Sequence, residues 1–357
     1  MEAHALKQAL QAQAAHLGFD ACRFAPAIAP PHAEAFRQWV AEGKSGEMAW
    51  LAKNIDRRTD PQLVLPGAKT MVVVAKSYAQ PPRVETSEKE GYRIATYAWG
   101  EDYHEVLTPR LRALEEILAA QGGSQRSYVD TGPVLERDYA ALAGLGWQGK
   151  STMVISRELG AFFFLGTLLT TLEIPPDDPA QDRCGRCTRC IDICPTAAIT
   201  GPQQLDARRC VSYLTIELKG AIPVELRALI GNRIYGCDDC AAVCPWNRFA
   251  KASTEARFAA RPFAQGWLLR DFLKLDDAAF RELFRGSPIK RIKRRGFLRN
   301  VCVALGNTGG PEDLAALEAA ATDAEPLIAE HAAWALGEIT RRGCGGATQA
   351  WGTQREP

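Results

Sequence analysis

The pattern of hydrophobic and polar positions divides the chain into three regions, and the first, residues 1–175, mixes helical and strand patterns. Near the N-terminus Leu6, Leu10 and Leu17 recur at helical spacing among polar residues, which predicts an amphipathic helix. The apolar run 70–75 follows a Pro-Gly turn and predicts a buried strand. Further strands are expected at 127–129, 152–156 and 162–169, with a helix over 136–142.

The second and third regions differ from the first in composition. Residues 176–250 follow the break at Pro175-Pro176 and hold most of the cysteines, whereas residues 262–340 lack strand patterns and are rich in Ala, Leu and Arg. In this last region Val303-Ala-Leu-Gly306 recurs as Trp334-Ala-Leu-Gly337, which suits a stacked helix-pair repeat of the HEAT kind. Residues 341–357 show little hydrophobic pattern and predict a disordered tail. The expected fold class is therefore α+β, with an α/β-type N-terminal domain and a C-terminal α-helical HEAT-like domain.

Overall charge identifies no partner, because 43 Lys and Arg balance 42 Asp and Glu. One segment departs from this balance, since the stretch from Arg285 to Arg299 carries seven basic residues and no acid. A solvated face is the ordinary explanation of such a run. Its place at the start of a helical-repeat domain favours a phosphate-binding strip.

The N-terminal stretch lacks the apolar core of an export signal, and no apolar run is long enough to span a bilayer. We therefore expect a cytoplasmic protein whose thiols stay reduced. Eleven cysteines in that compartment indicate metal or redox chemistry rather than disulfides.

The cysteine spacing predicts two [4Fe–4S] clusters. The run C-x2-C-x2-C-x3-C from Cys184 to Cys194 ends before a proline, as in bacterial ferredoxins, whose fourth cysteine ligates the other cluster of a pair. A second, incomplete run from Cys237 to Cys244 also ends before a proline, and Cys210 lies between the two runs. The predicted ligands are Cys184, Cys187, Cys190 and Cys244 for the first cluster, and Cys194, Cys210, Cys237 and Cys240 for the second.

A pair of structural zinc sites is the alternative explanation of these cysteines, but the double Cys-Pro ending favours clusters. The remaining thiols, Cys22, Cys302 and Cys344, are expected to be plain core or surface cysteines.

Three motifs are misleading. The segment from Gly144 to Ser151 matches the phosphate-loop pattern G-x4-G-K-S, but a helix is predicted before it and a strand after it, so nucleotide binding is not expected. The triplet at Asp130 matches aspartic proteases, which need a second copy that the chain lacks. His104 stands in a partial D-x-H-x-x-G cobalt motif with Leu107 in place of glycine, so a structural role is the default for this histidine.

Considered together, these segments resemble epoxyqueuosine reductase, the cobalamin-dependent family that completes queuosine synthesis in tRNA. The resemblance runs from residues 46–51 to the helical repeats. Its most specific parts are the eight cysteines and the segments 97–104, 128–133, 146–150 and 210–217.

The resemblance implies a cobalamin-binding catalytic domain over 1–175, a ferredoxin-like 2[4Fe–4S] domain over 176–250 and a HEAT-like domain over 262–340. The implied enzyme is an oxidoreductase that reduces the epoxide of epoxyqueuosine at the wobble position of tRNA to queuosine. Electrons would pass through the clusters to base-off cobalamin. Asp130 maps onto the family's proton donor, and we hypothesise that burial under the corrin keeps this carboxyl protonated.

Individual contacts follow from motif position. The expected cobalamin contacts are Arg57, Tyr97, Asp130, Ser151 and Ser212. The expected tRNA contacts are Lys290, Arg291, Lys293, Arg294, Arg295 and Arg299. We expect a monomer that takes electrons from a donor the sequence does not identify.

Two alternatives stay open at this stage. One is a cobalamin-dependent enzyme related to reductive dehalogenases, acting on a small molecule. The other is a non-catalytic iron–sulfur electron-transfer protein, which would bind no corrin.

Overall fold

The computed structural model describes residues 2–80, 91–250, 252–264 and 266–344. The helices and strands in chain order are α1 Ala3–His16, β1 Ala21–Pro26, α2 Ala33–Ala41, α3 Ala49–Lys53, α4 Ile55–Thr59, β2 Thr70–Ser77, β3 Arg93–Ile94, α5 Tyr103–Ala119, β4 Gln125–Tyr128, α6 Glu136–Leu142, β5 Trp147–Gln148, β6 Val154–Ile155, β7 Phe163–Thr170, α7 Arg189–Asp192, β8 Ile199–Gly201, β9 Gln204–Leu205, α8 Val211–Ile216, α9 Val224–Ile230, β10 Arg233–Tyr235, α10 Asp239–Ala242, α11 Leu269–Phe272, α12 Asp277–Leu283, α13 Lys293–Thr308, α14 Leu314–Ala321 and α15 Pro326–Cys344. Short 3-10 helices cover Pro61–Leu63, Thr96–Ala98, Ala207–Arg209, Pro245–Phe249, Ala256–Phe258, Pro262–Ala264, Pro288–Ile292 and Pro311–Asp313.

The central feature of the first region is a four-stranded sheet in the order β1-β2-β7-β4. All three pairings are antiparallel, so the predicted α/β-type domain is built on an antiparallel sheet. Because side chains alternate across a strand, Val72 and Val74 of β2 face the core under α1 and α5, whereas Met71 and Val73 face the core under α6. Strand β2 is buried along its whole length, which explains its continuous apolar run.

The helices and strands predicted for the first region agree with those of the structure. The strand expected at 70–75 extends to Ser77, and the helix expected at 136–142 is α6. The N-terminal helix and the strands near 127, 154 and 163 are present. The sequence analysis gave no strand at Ala21–Pro26, which forms the sheet edge as β1.

The three regions share one core. Strand β3 of the first region pairs in parallel with β10, which lies just before Cys237. The largest hydrophobic cluster then combines residues 92–99 and 234–235 with side chains of α11 to α15, including Phe297 and Val301. The cysteine-rich segment is therefore held between the sheet domain and the helical domain.

The helical region is built around α13, which packs against both α15 and β10. Gly306 on α13 permits this packing, because a Cβ there would lie 2.3 Å from the Trp334 ring of α15. Gly337, its counterpart in the sequence repeat, has nothing within 4 Å of the same position. The two repeat glycines are therefore not structurally equivalent.

The last helix continues past the predicted tail boundary at 341. Helix α15 runs through Arg341 and Arg342 to Cys344, and Arg342 donates to the Gly309 carbonyl at 2.9 Å. The remainder of the predicted tail, residues 345–357, lies outside the described residues.

None of the helices in the described part of the chain is both long and apolar enough to cross a membrane.

Candidate functional site

The loop after β4 presents Asp130 at the edge of the main sheet. Its φ of +61° lies in the left-handed region, which aspartate tolerates better than most residues and which often marks a functional site. Gly132 lets the loop close over Tyr128, because a Cβ would lie 2.2 Å from that ring. The side chain is oriented by Tyr103, whose hydroxyl donates to Asp130 Oδ2 at 2.7 Å. Asp130 itself is exposed, and its burial under a corrin stays a prediction.

A second carboxyl, Glu136, holds the same loop. The backbone N–H of Asp130 donates to Glu136 Oε1 at 3.0 Å, and the Thr167 hydroxyl approaches the same oxygen at 3.5 Å. Burial, and then the negative charge of Asp130, raise the pKa of Glu136 to about 8. Two neighbouring carboxyls that cannot both ionise easily can share one proton at neutral pH.

Arg58 is a buried cation beside this pair, and Arg137 also acts on Glu136. Arg58 stacks over Trp50 at 5.0 Å and interacts electrostatically with both Glu136 and Asp130. Its Nε has no hydrogen-bond partner, although buried donors are nearly always paired. The sequence analysis named its neighbour Arg57, which is exposed and donates to the Leu63 carbonyl at 3.2 Å. Of these two adjacent arginines, the structure turns Arg58 and not Arg57 toward the carboxyls, and the contact of Arg57 with a cofactor stays a prediction.

A group of aromatic side chains connects Asp130 with the cysteine-rich segment. Tyr103 stacks on Phe164 at 4.3 Å and meets Tyr97 edge-on at 6.2 Å, and Tyr97 in turn contacts Tyr235 at 6.0 Å. Burial and the charge of Asp130 raise the pKa of Tyr103, so its hydroxyl stays a donor. Tyr235 ends β10, two residues before Cys237.

The structure brings the eight cysteines into two groups of four. Burial and the nearby thiols of Cys184 and Cys187 raise the pKa of Cys190, and the same three thiols act on Cys244. The second group is centred on Cys240, whose pKa is raised by burial and then by three thiols, those of Cys237, Cys210 and Cys194. In each group one cysteine comes from the other sequence run.

The number of thiols bears on the cluster prediction. A cubane takes four thiolates, one on each iron. Eight thiolates in two groups of four therefore match the ligands that two cubanes need.

Two side chains of the glycine-rich loop hold the first cysteine group. Trp147 Nε1 donates to Cys184 Sγ at 3.4 Å, and Lys150 Nζ donates to the carbonyls of Gly185 and Cys187 at 2.7 and 2.9 Å. Helix α6 precedes this loop and the β5–β6 hairpin contains it, so it lacks the helix N-terminus that a phosphate loop requires. The lysine of the misleading motif therefore positions the cysteine loop.

The remaining predicted cofactor residues lie near the thiols. Ser151 is buried and lines the same cavity as Cys184, Cys187, Cys190 and Cys244. Ser212 opens α8, and its backbone N–H is bonded to the Cys210 thiol. His104 has a structural role, since its Nδ1 lies 2.7 Å from Asp102 Oδ1 and its ring stacks on Tyr103.

The basic segment is only partly available to a ligand. Lys290 and Lys293 are exposed, while Arg291 and Arg295 are exposed but paired with Glu217 and Glu325. Arg294 is largely buried, donates to the Leu275 carbonyl and pairs with Asp323.

Arg299 does not belong to the basic surface. Only 1% of the residue is exposed, and its guanidinium donates to three backbone carbonyls, those of Leu214, Leu218 and Gly220. Burial lowers its pKa to about 10, so it remains a cation at neutral pH. Its neighbour Asn300 donates to the carbonyls of Thr215 and Ile234. The predicted contact of Arg299 with tRNA is wrong, because this side chain joins the helical domain to the cysteine-rich segment.

Two family models match the chain. Residues 183–247 match the "4Fe-4S double cluster binding domain", a span that contains all eight cysteines of the two groups. Residues 58–131 match "Epoxyqueuosine reductase QueG, DUF1730", a segment that ends just past Asp130.

Whole-chain comparisons give the same family. An epoxyqueuosine reductase of Xanthomonas campestris pv. campestris is 47% identical over 309 residues, covering 85% of this chain and 87% of that protein. A crystal structure of epoxyqueuosine reductase with an epoxyqueuosine-modified tRNA-Tyr stem loop superposes with a TM-score of 0.86 at 32% identity, covering 94% of this chain and 90% of that chain. The Bacillus subtilis enzyme, in a structure with its catalytic aspartate loop swung out of the active site, has a TM-score of 0.84 at 32% identity over the same shares.

Proposed function

The chain belongs to the epoxyqueuosine reductase family of oxidoreductases, and we propose from this premise that it reduces the epoxide of epoxyqueuosine in the anticodon loop of tRNA to the alkene of queuosine. The reaction takes two electrons and two protons and releases the epoxide oxygen as water. The chain must therefore deliver protons at the substrate and electrons from a distance.

The observation that carries this proposal is the pair of carboxyls, Asp130 and Glu136, at the sheet edge. Glu136 retains a proton at neutral pH, because burial and the negative charge of Asp130 raise its pKa, and a neighbouring carboxyl can share that proton. Tyr103 orients the Asp130 side chain, and Glu136 fixes its backbone. Asp130 then donates the shared proton to the leaving oxygen, a form of general acid catalysis typically worth about 10²–10⁴-fold in rate.

The residues around this pair fit a large cofactor rich in hydrogen-bond acceptors. The buried Nε of Arg58, whose charge acts on both carboxyls, lacks a partner, and a buried donor without an acceptor is costly. We propose that cobalamin is held here by Arg58, Tyr97 and Asp130, with Ser151 and Ser212 on the side of the thiols. When bound, its cobalt supplies a strong nucleophile toward the epoxide carbon. The exposed carboxyl of Asp130 becomes covered only when cofactor and substrate are present.

We assign the two thiol groups to two [4Fe–4S] clusters. The first cluster is held by Cys184, Cys187, Cys190 and Cys244, and the second by Cys194, Cys210, Cys237 and Cys240. The second group lies toward the catalytic site, since Tyr235, two residues before Cys237, contacts Tyr97, which in turn meets Tyr103. Electrons therefore enter at the first cluster and leave from the second.

The tRNA stem binds to the exposed part of the basic segment. This surface consists of Lys290, Lys293, Arg291 and Arg295. Arg294 and Arg299 do not contribute to it, because their guanidinium groups are bound to carbonyls inside the protein. A groove next to Lys290 extends the surface with Arg257, Arg261 and Arg285. Single-stranded loops offer an unstacked base to a pocket, which suits a substrate in an anticodon loop.

Nucleoside mass analysis tests the activity. Anaerobic protein is incubated with cobalamin, a chemical reductant and an epoxyqueuosine-bearing stem loop, and the expected product has lost one oxygen atom. Asp130→Asn should lower the rate by about 10² or more without loss of iron, whereas Asp56→Asn, an exposed carboxyl of α4, should behave as wild type. Full activity of Asp130→Asn, or zinc in place of iron, would contradict the proposal.

Binding of the unmodified stem loop tests the RNA surface separately. Replacing Lys290 or Lys293 with Gln should weaken binding and lower the slope of log affinity against log salt by roughly one for each lysine. Lys53→Gln, an exposed lysine of α3, is the matched control. An unchanged salt slope in both variants would exclude this surface.

A further inference from the structure

An exposed arginine face surrounds the first cysteine group. Arg183, Arg186 and Arg189 alternate with the cysteines in the sequence R-C-x-R-C-x-R-C, and all three are exposed. Within the described ranges none of these three side chains has a hydrogen bond or an ion pair with the protein. Arg183 and Arg189 line the cavity that also contains Cys184, Cys187, Cys190 and Cys244.

An apolar contact point lies beside these arginines. Phe249 is 47% exposed, and Trp246 joins it to Trp147, with ring separations of 5.6 and 4.9 Å. Trp147 in turn donates to Cys184 Sγ. Arg248, also exposed, covers the Phe249 ring at 4.5 Å. A continuous line of aromatic side chains therefore leads from the surface to a thiol of the first group.

The charges of this face differ from those of the basic segment. There, Arg291, Arg294 and Arg295 have acidic partners within the chain, whereas the three arginines beside the cysteines have none among the described residues. The flanking acids are engaged elsewhere, since Asp182 accepts the Cys184 N–H and Asp192 accepts the Thr188 hydroxyl. Unpaired like charges repel one another, and a partner with complementary charge removes that cost.

We propose that this arginine face, Arg183, Arg186, Arg189 and Arg248 around Phe249, is the docking surface for an acidic one-electron carrier protein that reduces the first cluster. The carrier, a small flavin or iron–sulfur protein with acidic residues around its redox group, loses one electron and the cluster gains it, with no bond formed or broken. Two such encounters supply the two electrons of one epoxide reduction, so the inference rests on the proposed function. The RNA surface at Lys290 and Lys293 belongs to the helical domain, which leaves this face to the carrier.

Rapid-mixing kinetics tests the proposal without tRNA or cobalamin, so failure of the epoxide reaction does not affect the result. Reduced acidic flavodoxin is mixed anaerobically with the cluster-loaded protein, and bleaching of the cluster absorbance is followed at low and high salt. Replacing Arg183, Arg186 and Arg189 together with Gln should slow reduction about tenfold at low salt and flatten the salt dependence, because steering by charge accounts for about 10–10³-fold in association rate. The matched control replaces three exposed arginines outside this face, Arg112, Arg126 and Arg281, with Gln and should leave the rate unchanged.

Three further measurements separate docking from other roles of the arginines. With the methyl viologen radical cation as reductant, the triple variant should be reduced as fast as wild type, and its iron content and the reduction potential of its first cluster should be unchanged. Equal slowing with methyl viologen, or a shifted potential, would overturn the proposal in favour of arginines that only tune the cluster. Loss of stem-loop binding with normal flavodoxin kinetics would overturn it in favour of an RNA surface.

Discussion

The carboxyl pair makes a prediction that depends on the shared proton. Glu136→Gln keeps an acceptor for the Asp130 N–H but removes the ionisable group. In the wild type the pKa of Glu136 is raised from 4.5 to about 8. Each pKa unit corresponds to about 1.4 kcal/mol, so ionising Glu136 costs about 5 kcal/mol more than in water. The variant therefore lacks the proton that Glu136 retains at pH 7.5. We expect epoxide reduction to slow by about 10² at that pH.

The pH dependence distinguishes this role from a structural one. In the wild type the rate should fall as pH rises through about 8, since the pair then loses its proton. In Glu136→Gln that limb should disappear, because the group that loses its proton is no longer present. Turnover is measured by nucleoside mass analysis from pH 5 to 9, with Glu116→Gln on the exposed side of α5 as control. A slow variant whose rate still falls as pH rises through about 8 would mean that Glu136 only holds the loop, and a variant as fast as wild type at pH 7.5 would refute the shared proton.

The free energy of unfolding should also depend on the protonation of Glu136. A carboxyl whose folded-state pKa is raised stabilises the fold at low pH, because the folded chain retains a proton that the unfolded chain has lost. This contribution is full below about pH 4.5 and is lost as pH rises through about 8. The hydrogen bond to Asp130 survives in Glu136→Gln, so the variant should lose this pH dependence while keeping the loop in place.

Two further predictions concern packing and cluster chemistry. Trp147→Phe removes the N–H donor to Cys184 Sγ and should lower the reduction potential of the first cluster without loss of iron. A redox titration followed by electron paramagnetic resonance measures this potential. An unchanged potential would show that the N–H is not bonded to a cluster thiolate. Gly306→Ala places a methyl group 2.3 Å from the Trp334 ring and should destabilise the helical domain by about 1–3 kcal/mol, whereas Gly337→Ala meets nothing within 4 Å and should be neutral or stabilising in thermal denaturation. Equal effects of the two alanines would contradict the packing described for α13 and α15.

The sequence predicted those parts of the structure that local pattern determines. The apolar run at 70–75 predicted a buried strand, and the C-x2-C spacing predicted which cysteines of each run lie together, whereas the exchange of Cys194 and Cys244 followed from the ferredoxin pattern. The family resemblance pointed to Asp130, which the structure places at the sheet edge beside Tyr103.

The remainder depends on tertiary contacts that pattern does not encode. Arg57 and Arg58 are indistinguishable in sequence, and only the packing of Trp50 decides which one faces the carboxyls. Arg299 stands in a basic run, yet its side chain is turned to carbonyls of α8 and of the segment that follows it. Glu136 shows no sequence signal beyond its place at the start of α6, because its proton affinity arises from burial next to Asp130.

The parallel pairing of β3 with β10, and the bonds from Arg299 and Asn300 to the segment before Cys237, tie three parts of the chain into one cooperative unit. Heating that melts α13 would free the backbone that carries Cys237 and Cys240. Iron release, loss of the RNA-binding surface and exposure of the catalytic edge should then coincide in a single transition.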